Sequence, residues 1–164
     1  INALISLNDL ELPILSQNKT KFESIGVKLL VSDPSVIDIC FDKYKTAQWI
    51  ESIGLKSPKT YVSLTEAKNA ITKGVINYPL FMKPRWGSGS IGLETVNDEE
   101  ELDIYYSLLL KKIKRTILAT ASVGDDYILI QEKLTGNEYG LDVMNDIDGN
   151  HIRIDIDDFS ITYL

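Results

Sequence analysis

Residues 78–92 read Tyr78-Pro79-Leu80-Phe81-Met82-Lys83-Pro84-Arg85-Trp86-Gly87-Ser88-Gly89-Ser90-Ile91-Gly92, and the rest of the chain is read outward from them. The apolar run closing on a lysine predicts a strand over Tyr78–Lys83, with a second strand over Ile91–Val96. Between the strands, Gly87, Gly89 and Gly92 interleave with Ser88 and Ser90. Glycine lets the backbone approach a ligand and turn its N–H groups toward it. Serine hydroxyls add donors, and a lysine ammonium is a point charge suited to a polyphosphate. The lysine precedes the glycines and no helix follows, so the stretch is not a Walker A loop. Strand follows strand, so it is not a dinucleotide fingerprint either. A phosphate-covering flap fits the residues better than both. The plain alternative is a flexible connection with a surface lysine.

On the N-terminal side, Asp42 is an N-cap for a helix carrying Ala47, Trp49, Ile50 and Ile53, closed by Gly54 with Pro58 beyond. Ser63-Leu64-Thr65-Glu66 is a capping box for the next helix, which ends at Gly74. On the C-terminal side, Asp98–Glu101 put acid in the first turn of a helix, and Lys111, Lys112, Lys114 and Arg115 put base in its last. Both ends complement the helix dipole. Leu102, Tyr106, Leu109 and Ile113 form its predicted buried stripe. Beyond it, three strands are predicted, Tyr127–Leu134, Tyr139–Asn145 and His151–Asp157. A hairpin turn is expected over Asp146–Asn150.

The first 38 residues read as strand, helix, strand. Ile1–Leu7 is a strand end, a periodic stretch runs through Ile25 to Gly26, and Val27–Val31 has the apolar character of a buried parallel strand. Pro34 opens a brief helix. One such unit is too small to fold alone, so it is read as the end of a preceding domain, and the chain as a fragment. The organisation is α+β, divided into 1–38, 39–120 and 121–164.

The 164 residues are 44% hydrophobic and 25% charged, which excludes a disordered tail and a disulfide miniprotein. A net charge of -7 argues against broad nucleic-acid binding. Cys40 is the only cysteine, which fits a reducing cytoplasm, and no apolar run is long enough to span a bilayer. No nucleic acid and no membrane are therefore expected as partners. A cropped chain that exposes a core face associates readily, so homo-oligomer formation stays open.

Lys43 stands in the first turn of its helix, a poor place for a cation that a bound anion would improve; alternatively it is a solvated lysine. Gln131-Glu132-Lys133-Leu134-Thr135-Gly136-Asn137-Glu138 is a strand running into a glycine turn. It offers a backbone edge to a purine, with Glu138 placed to accept from ribose hydroxyls, or it is an ordinary edge strand. His151 has no Cys or His partner, so zinc is unsupported. Cys40 reads as core rather than nucleophile. Asp142, Asp146, Asp148, Asp155, Asp157 and Asp158 are numerous, but their spacing lacks that of a calcium loop.

In this order, Asp42-Lys43-Tyr44-Lys45-Thr46, Gly54–Thr60, Tyr78–Pro84 with its Gly/Ser loop, and Ile130-Gln131-Glu132 through Gly136-Asn137-Glu138-Tyr139 resemble the ATP-grasp superfamily. The likeness is greatest to proteins like the large subunit of carbamoyl phosphate synthetase, and extends to about Gly149. Leu7–Pro13 resemble the tail of the pre-ATP-grasp domain. The resemblance implies two α+β subdomains clamping MgATP. It puts Lys43 and Lys83 on the α- and β-phosphates and Ser88, Gly89 and Ser90 in the loop over them. It puts Gln131, Glu132, Lys133 and Leu134 along adenine, and Glu138 on the ribose. The implied reaction phosphorylates a small carboxylate to an acyl phosphate, which an amine or another nucleophile attacks. A nucleotide-binding module without ligase chemistry is the alternative.

The family's metal site uses a late glutamate and a Glu/Asp-x-Asn pair. No Glu follows Glu138 and no Asn follows Asn150. The Mg²⁺ ligands are therefore expected to be missing from this chain, and the fragment to be catalytically incomplete.

Overall fold

Along strand β4 (Leu80–Pro84) the residues alternate between buried and half-buried, and that alternation organises the main sheet. In the computed structural model, which describes residues 1–116, 126–146 and 149–158, β4 pairs antiparallel with β5 (Glu94–Val96) and with β6 (Ile128–Glu132). On the far side of β6 lies β3 (Thr60–Tyr61), so the strand order is β3-β6-β4-β5. Leu80, Met82, Ile128 and Ile130 point to one face. There they pack with Ala67 and Ala70 of α5 (Leu64–Thr72) and with Leu102, Leu109 and Ile113 of α6 (Glu99–Ile113). The opposite face receives Lys83, Leu129 and Gln131. A one-residue alternation therefore separates the core from the candidate site.

The predicted helix signals are realised with small shifts. Ser63 Oγ accepts the Glu66 N–H at 3.3 Å, and Asp98 Oδ1 accepts the Glu101 N–H at 2.8 Å. In the α6 stripe Leu102, Leu109 and Ile113 are buried, whereas Tyr106 is only half-buried at its edge. The strands around the glycine loop are shorter than expected: β5 begins at Glu94, so the connection spans residues 85–93.

The first 42 residues depart more. β1 (Ala3–Leu4) and β2 (Lys28–Leu29) pair in parallel but are two residues each. Only Leu29 of the expected buried strand is buried. The single helix expected through Ile25 is two, α1 (Leu12–Gln17) and α2 (Lys19–Ser24), broken at Asn18. The Asn18 side chain bonds the Ile14 carbonyl at 2.8 Å, offering the backbone an alternative to continued helix. On α3 (Pro34–Phe41) the buried residue is Ile37, and Cys40 is exposed. The core reading of Cys40 is thus corrected: it falls on the outer side of a helix with a single inward position.

Contacts divide the chain into units of Ile1–Lys133 and Leu134–Leu164. The expected boundary near residue 120 falls outside the described residues. β6 is an inner strand of the main sheet, so it belongs with the elements before that boundary rather than after it. In the second unit, β7 (Tyr139–Asn145) and β8 (His151–Asp158) form the expected hairpin, with the Asn150 N–H on Asp146 Oδ1 at 2.8 Å. Ile147 and Asp148 of its turn lie outside the described residues. Leu141, Val143, Ile154 and Ile156 pair across one face, and all four are exposed.

Gly92 is required for two reasons at once. Its φ is +73°, and a Cβ there would meet Leu109 Cδ1 at 2.9 Å and Pro84 Cγ at 3.2 Å. Gly92→Ala should destabilise the first unit by about 1–3 kcal/mol, from left-handed strain and overpacking together. Urea unfolding followed by circular dichroism reads the loss; a neutral substitution would mean that the loop does not pack on α6.

Candidate functional site

Helix α4 (Lys43–Ser52) starts from Asp42, whose carboxylate accepts the Tyr44 and Lys45 N–H groups at 3.0 and 3.4 Å. The same carboxylate, buried at 4% exposure, takes both edges of the Arg85 fork, Nε at 2.8 Å and Nη2 at 2.7 Å. This hydrogen bonding holds the Arg85 guanidinium above its already high range. Its Cζ lies 5.3 Å from the Tyr44 ring centroid and 4.8 Å from that of Trp86. The Arg85 N–H donates to the Tyr127 carbonyl at 2.9 Å, and its own carbonyl accepts the Lys43 N–H at 3.3 Å. The start of α4 is thereby fastened to the end of β4.

That fastening brings Lys43 and Lys83 together from different elements. Lys43 Nζ donates to the Gly87 carbonyl at 2.6 Å and to the Arg85 carbonyl at 3.5 Å. Burial lowers the Lys43 pKa, and the neighbouring Lys83 ammonium lowers it further, against the pull of Asp42 and Asp9. Burial lowers that of Lys83 as well. Two ammoniums that repel each other with part of their hydration stripped are costly by themselves and well suited to an incoming anion.

Lys83 Nζ donates to Gln131 Oε1 at 2.8 Å, and Gln131 Nε2 donates to Thr60 Oγ1 at 2.8 Å. Thr60 Oγ1 donates in turn to the Pro58 carbonyl at 2.8 Å. A relay across three strands therefore aims the lysine. Sequence reasoning missed Thr60, because β3 is only two residues long. It also missed the Asp42–Arg85 pair, which no local spacing could reveal.

The expectation of an open backbone edge at Gln131 and Glu132 is corrected. β6 is bordered by β3 on one side and β4 on the other, and the Glu132 N–H donates to the Lys59 carbonyl at 2.9 Å. An edge for a purine could begin only at Lys133, past the strand, whose ammonium lies 5.1 Å from the Phe81 ring centroid. Leu134 and Glu138 are exposed residues of the second unit.

In the loop, Ser88, Gly89 and Ser90 are exposed, and Ser90 adopts a left-handed φ of 56°, unusual outside glycine. Trp86 is not part of the exposed loop; its indole is buried against Arg85. Among the described residues, no group of three or more His, Cys, Asp or Glu is placed to hold a metal ion. They do not by themselves fit a Mg²⁺ cage. No described helix is long and apolar enough to cross a membrane.

Residues 76–161 match a family described as ATP-grasp domain. The large chain of carbamoyl phosphate synthase from Campylobacter jejuni is 28% identical over 85 residues, which are 52% of this chain and 8% of that protein. The chain thus spans a small part of the curated relative. Among solved structures, an L-amino acid ligase from Bacillus licheniformis superposes with a TM-score of 0.66 at 20% identity, covering 95% of this chain and 34% of that one. A biotin carboxylase–β,γ-ATP complex from Campylobacter jejuni gives 0.62 at 22% identity, covering 84% and 31%. At such identities the structural likeness speaks for the fold alone.

Proposed function

The chain belongs to the ATP-grasp family, and from that premise we propose that its first unit binds the polyphosphate of ATP between Lys43, Lys83 and the loop of Ser88, Gly89 and Ser90. The observation that carries this reading is the fastening of the helix start that bears Lys43 to the end of the strand that bears Lys83, with Lys43 Nζ on the Gly87 carbonyl at the head of the loop and the charge of each lysine disfavoured by burial. A polyphosphate would supply the missing counter-charge. Adenine would lie past the end of β6, at Lys133 beyond Gln131 and Glu132. Residues 1–38 would be the tail of a preceding domain.

The parent activity is proposed to be that of an ATP-dependent ligase. A carboxylate oxygen attacks the γ-phosphorus, the bond to the β-phosphate oxygen breaks, and ADP leaves. An amine nitrogen, or another nucleophile, then attacks the acyl carbon and expels phosphate, the amine losing its proton. Fixed positive charge is what such a transfer needs from the protein, since charge spreads over the phosphoryl oxygens in the transition state. Lys43 and Lys83 would supply it and hold the phosphates in line. Mg²⁺ would shield the polyphosphate, and its ligands would come from outside the described residues. A nucleotide-binding module without ligase chemistry remains the second reading, favoured by the absence of an acidic cluster among the described residues.

The test is calorimetric titration with ADP and ATP across pH. Anion binding favours the charged lysines, so affinity must fall as rising pH discharges them. Because both pKa values are lowered from 10.5, the fall begins below that value. Affinity that is flat up to pH 10.5 would remove the lysines from the site, and no binding at any pH would remove the nucleotide.

A further inference from the structure

Resting on the reading of this face as a phosphate site, we infer that Arg85 is a positioning residue which sets Lys43 for the anion and does not itself touch it. Its charge and two of its donors are already engaged inside the fold. Nε and Nη2 are both on the Asp42 carboxylate, the guanidinium is packed against two aromatic rings, and the side chain is 15% exposed. A third cation beside two lysines would ordinarily be counted as a phosphate ligand; here its charge is answered within the fold.

What Arg85 controls is the place of Lys43. The two neighbours of Lys43 in sequence are Asp42 and Tyr44, and Arg85 is bonded to the first and stacked near the second. The Arg85 carbonyl holds both the N–H and the Nζ of Lys43. Two residues earlier on the same chain stands Lys83. One residue thus fixes the separation of the two ammoniums, by gripping the helix that carries one from the strand that carries the other. The bidentate fork is the reason for arginine: lysine could neutralise Asp42 but could not fix the helix in two directions.

The experiment is a double-substitution cycle on the full chain, with ADP as the probe. Arg85→Gln should weaken ADP binding by about tenfold in the native background. In the Lys43→Met background the same substitution should cost less than about twofold, because the group through which Arg85 acts is gone. Arg85→Lys should recover part of the loss in the native background and none in the other. Circular dichroism and thermal melting confirm that each variant is folded at the titration temperature; if Arg85→Gln is not, Arg85→Lys completes the cycle. Equal losses in both backgrounds would overturn the inference, since a merely structural role damages the site with or without Lys43. So would native affinity in Arg85→Gln. A native chain that binds no ADP would fail the nucleotide reading itself, before Arg85 is considered.

Discussion

Lys83→Met should lower the affinity for ADP and ATP by at least about tenfold, or some 1.4 kcal/mol, and should at the same time leave the fold no less stable at neutral pH. The two halves come from one cause. Burial disfavours the charge on Lys83, and the Lys83 charge disfavours that on Lys43. A lysine whose pKa is lowered on folding binds its proton more tightly in the unfolded chain, so below that lowered pKa it subtracts from stability, and the subtraction fades as pH rises toward 10.5. Methionine keeps much of the side-chain length without the charge. It gives up the bond to Gln131 Oε1, but relieves the repulsion on Lys43. Strain of this kind at a binding site is relieved by the ligand rather than by the fold. Calorimetry and thermal melting on the same preparation read both effects. Unchanged affinity would take Lys83 out of the site. A large drop in melting temperature with unchanged affinity would make it a structural lysine of the main sheet.

The order of elements around the glycine loop was legible because its signals are local. Asp42, Ser63 and Asp98 each cap the helix that follows within three residues. Lys43 and Lys83 were legible as candidates from their places at a helix start and a strand end. Their partners were not. Asp42 and Arg85 are 43 residues apart and Lys83 and Gln131 are 48 apart; the β4–β6 pairing brings the second pair together, and the docking of the start of α4 on the end of β4 brings the first. The same long-range pairing overrode the reading of Gln131 and Glu132 as an edge. A strand followed by a glycine turn looks like an edge in sequence, and β6 becomes an inner strand only when β3, seventy residues earlier, closes its second side. The N-terminal strands were overestimated because Val27–Val31 is apolar except for Lys28, while its partner strand is two residues long and leaves Leu30 facing outward. Periodicity reports what a segment can bury; the partners decide how much of it is buried.

Ile130 and Gln131 are adjacent in β6 and should separate stability from binding. Ile130 is fully buried in the cluster formed with Leu80, Met82 and the α5 and α6 residues. It sits opposite Met82 on β4 and Tyr61 on β3. With partners on both sides the sheet cannot collapse into the space left by truncation, so Ile130→Ala should cost about 3–5 kcal/mol, the upper part of the range for such deletions. Gln131 faces the other way, and its amide does not contribute to that cluster. Gln131→Ala removes the acceptor that aims Lys83 and leaves Thr60 with its bond to Pro58. It should therefore weaken ADP binding several-fold at a cost of about 1–2 kcal/mol in stability, typical of the two hydrogen bonds lost. Urea unfolding and ADP titration of the two variants give opposite rankings if the alternation of β6 divides core from site. If Ile130→Ala costs no more than Gln131→Ala, the hydrophobic cluster is not what holds the sheet together, and the lysine pair has no rigid base from which to act.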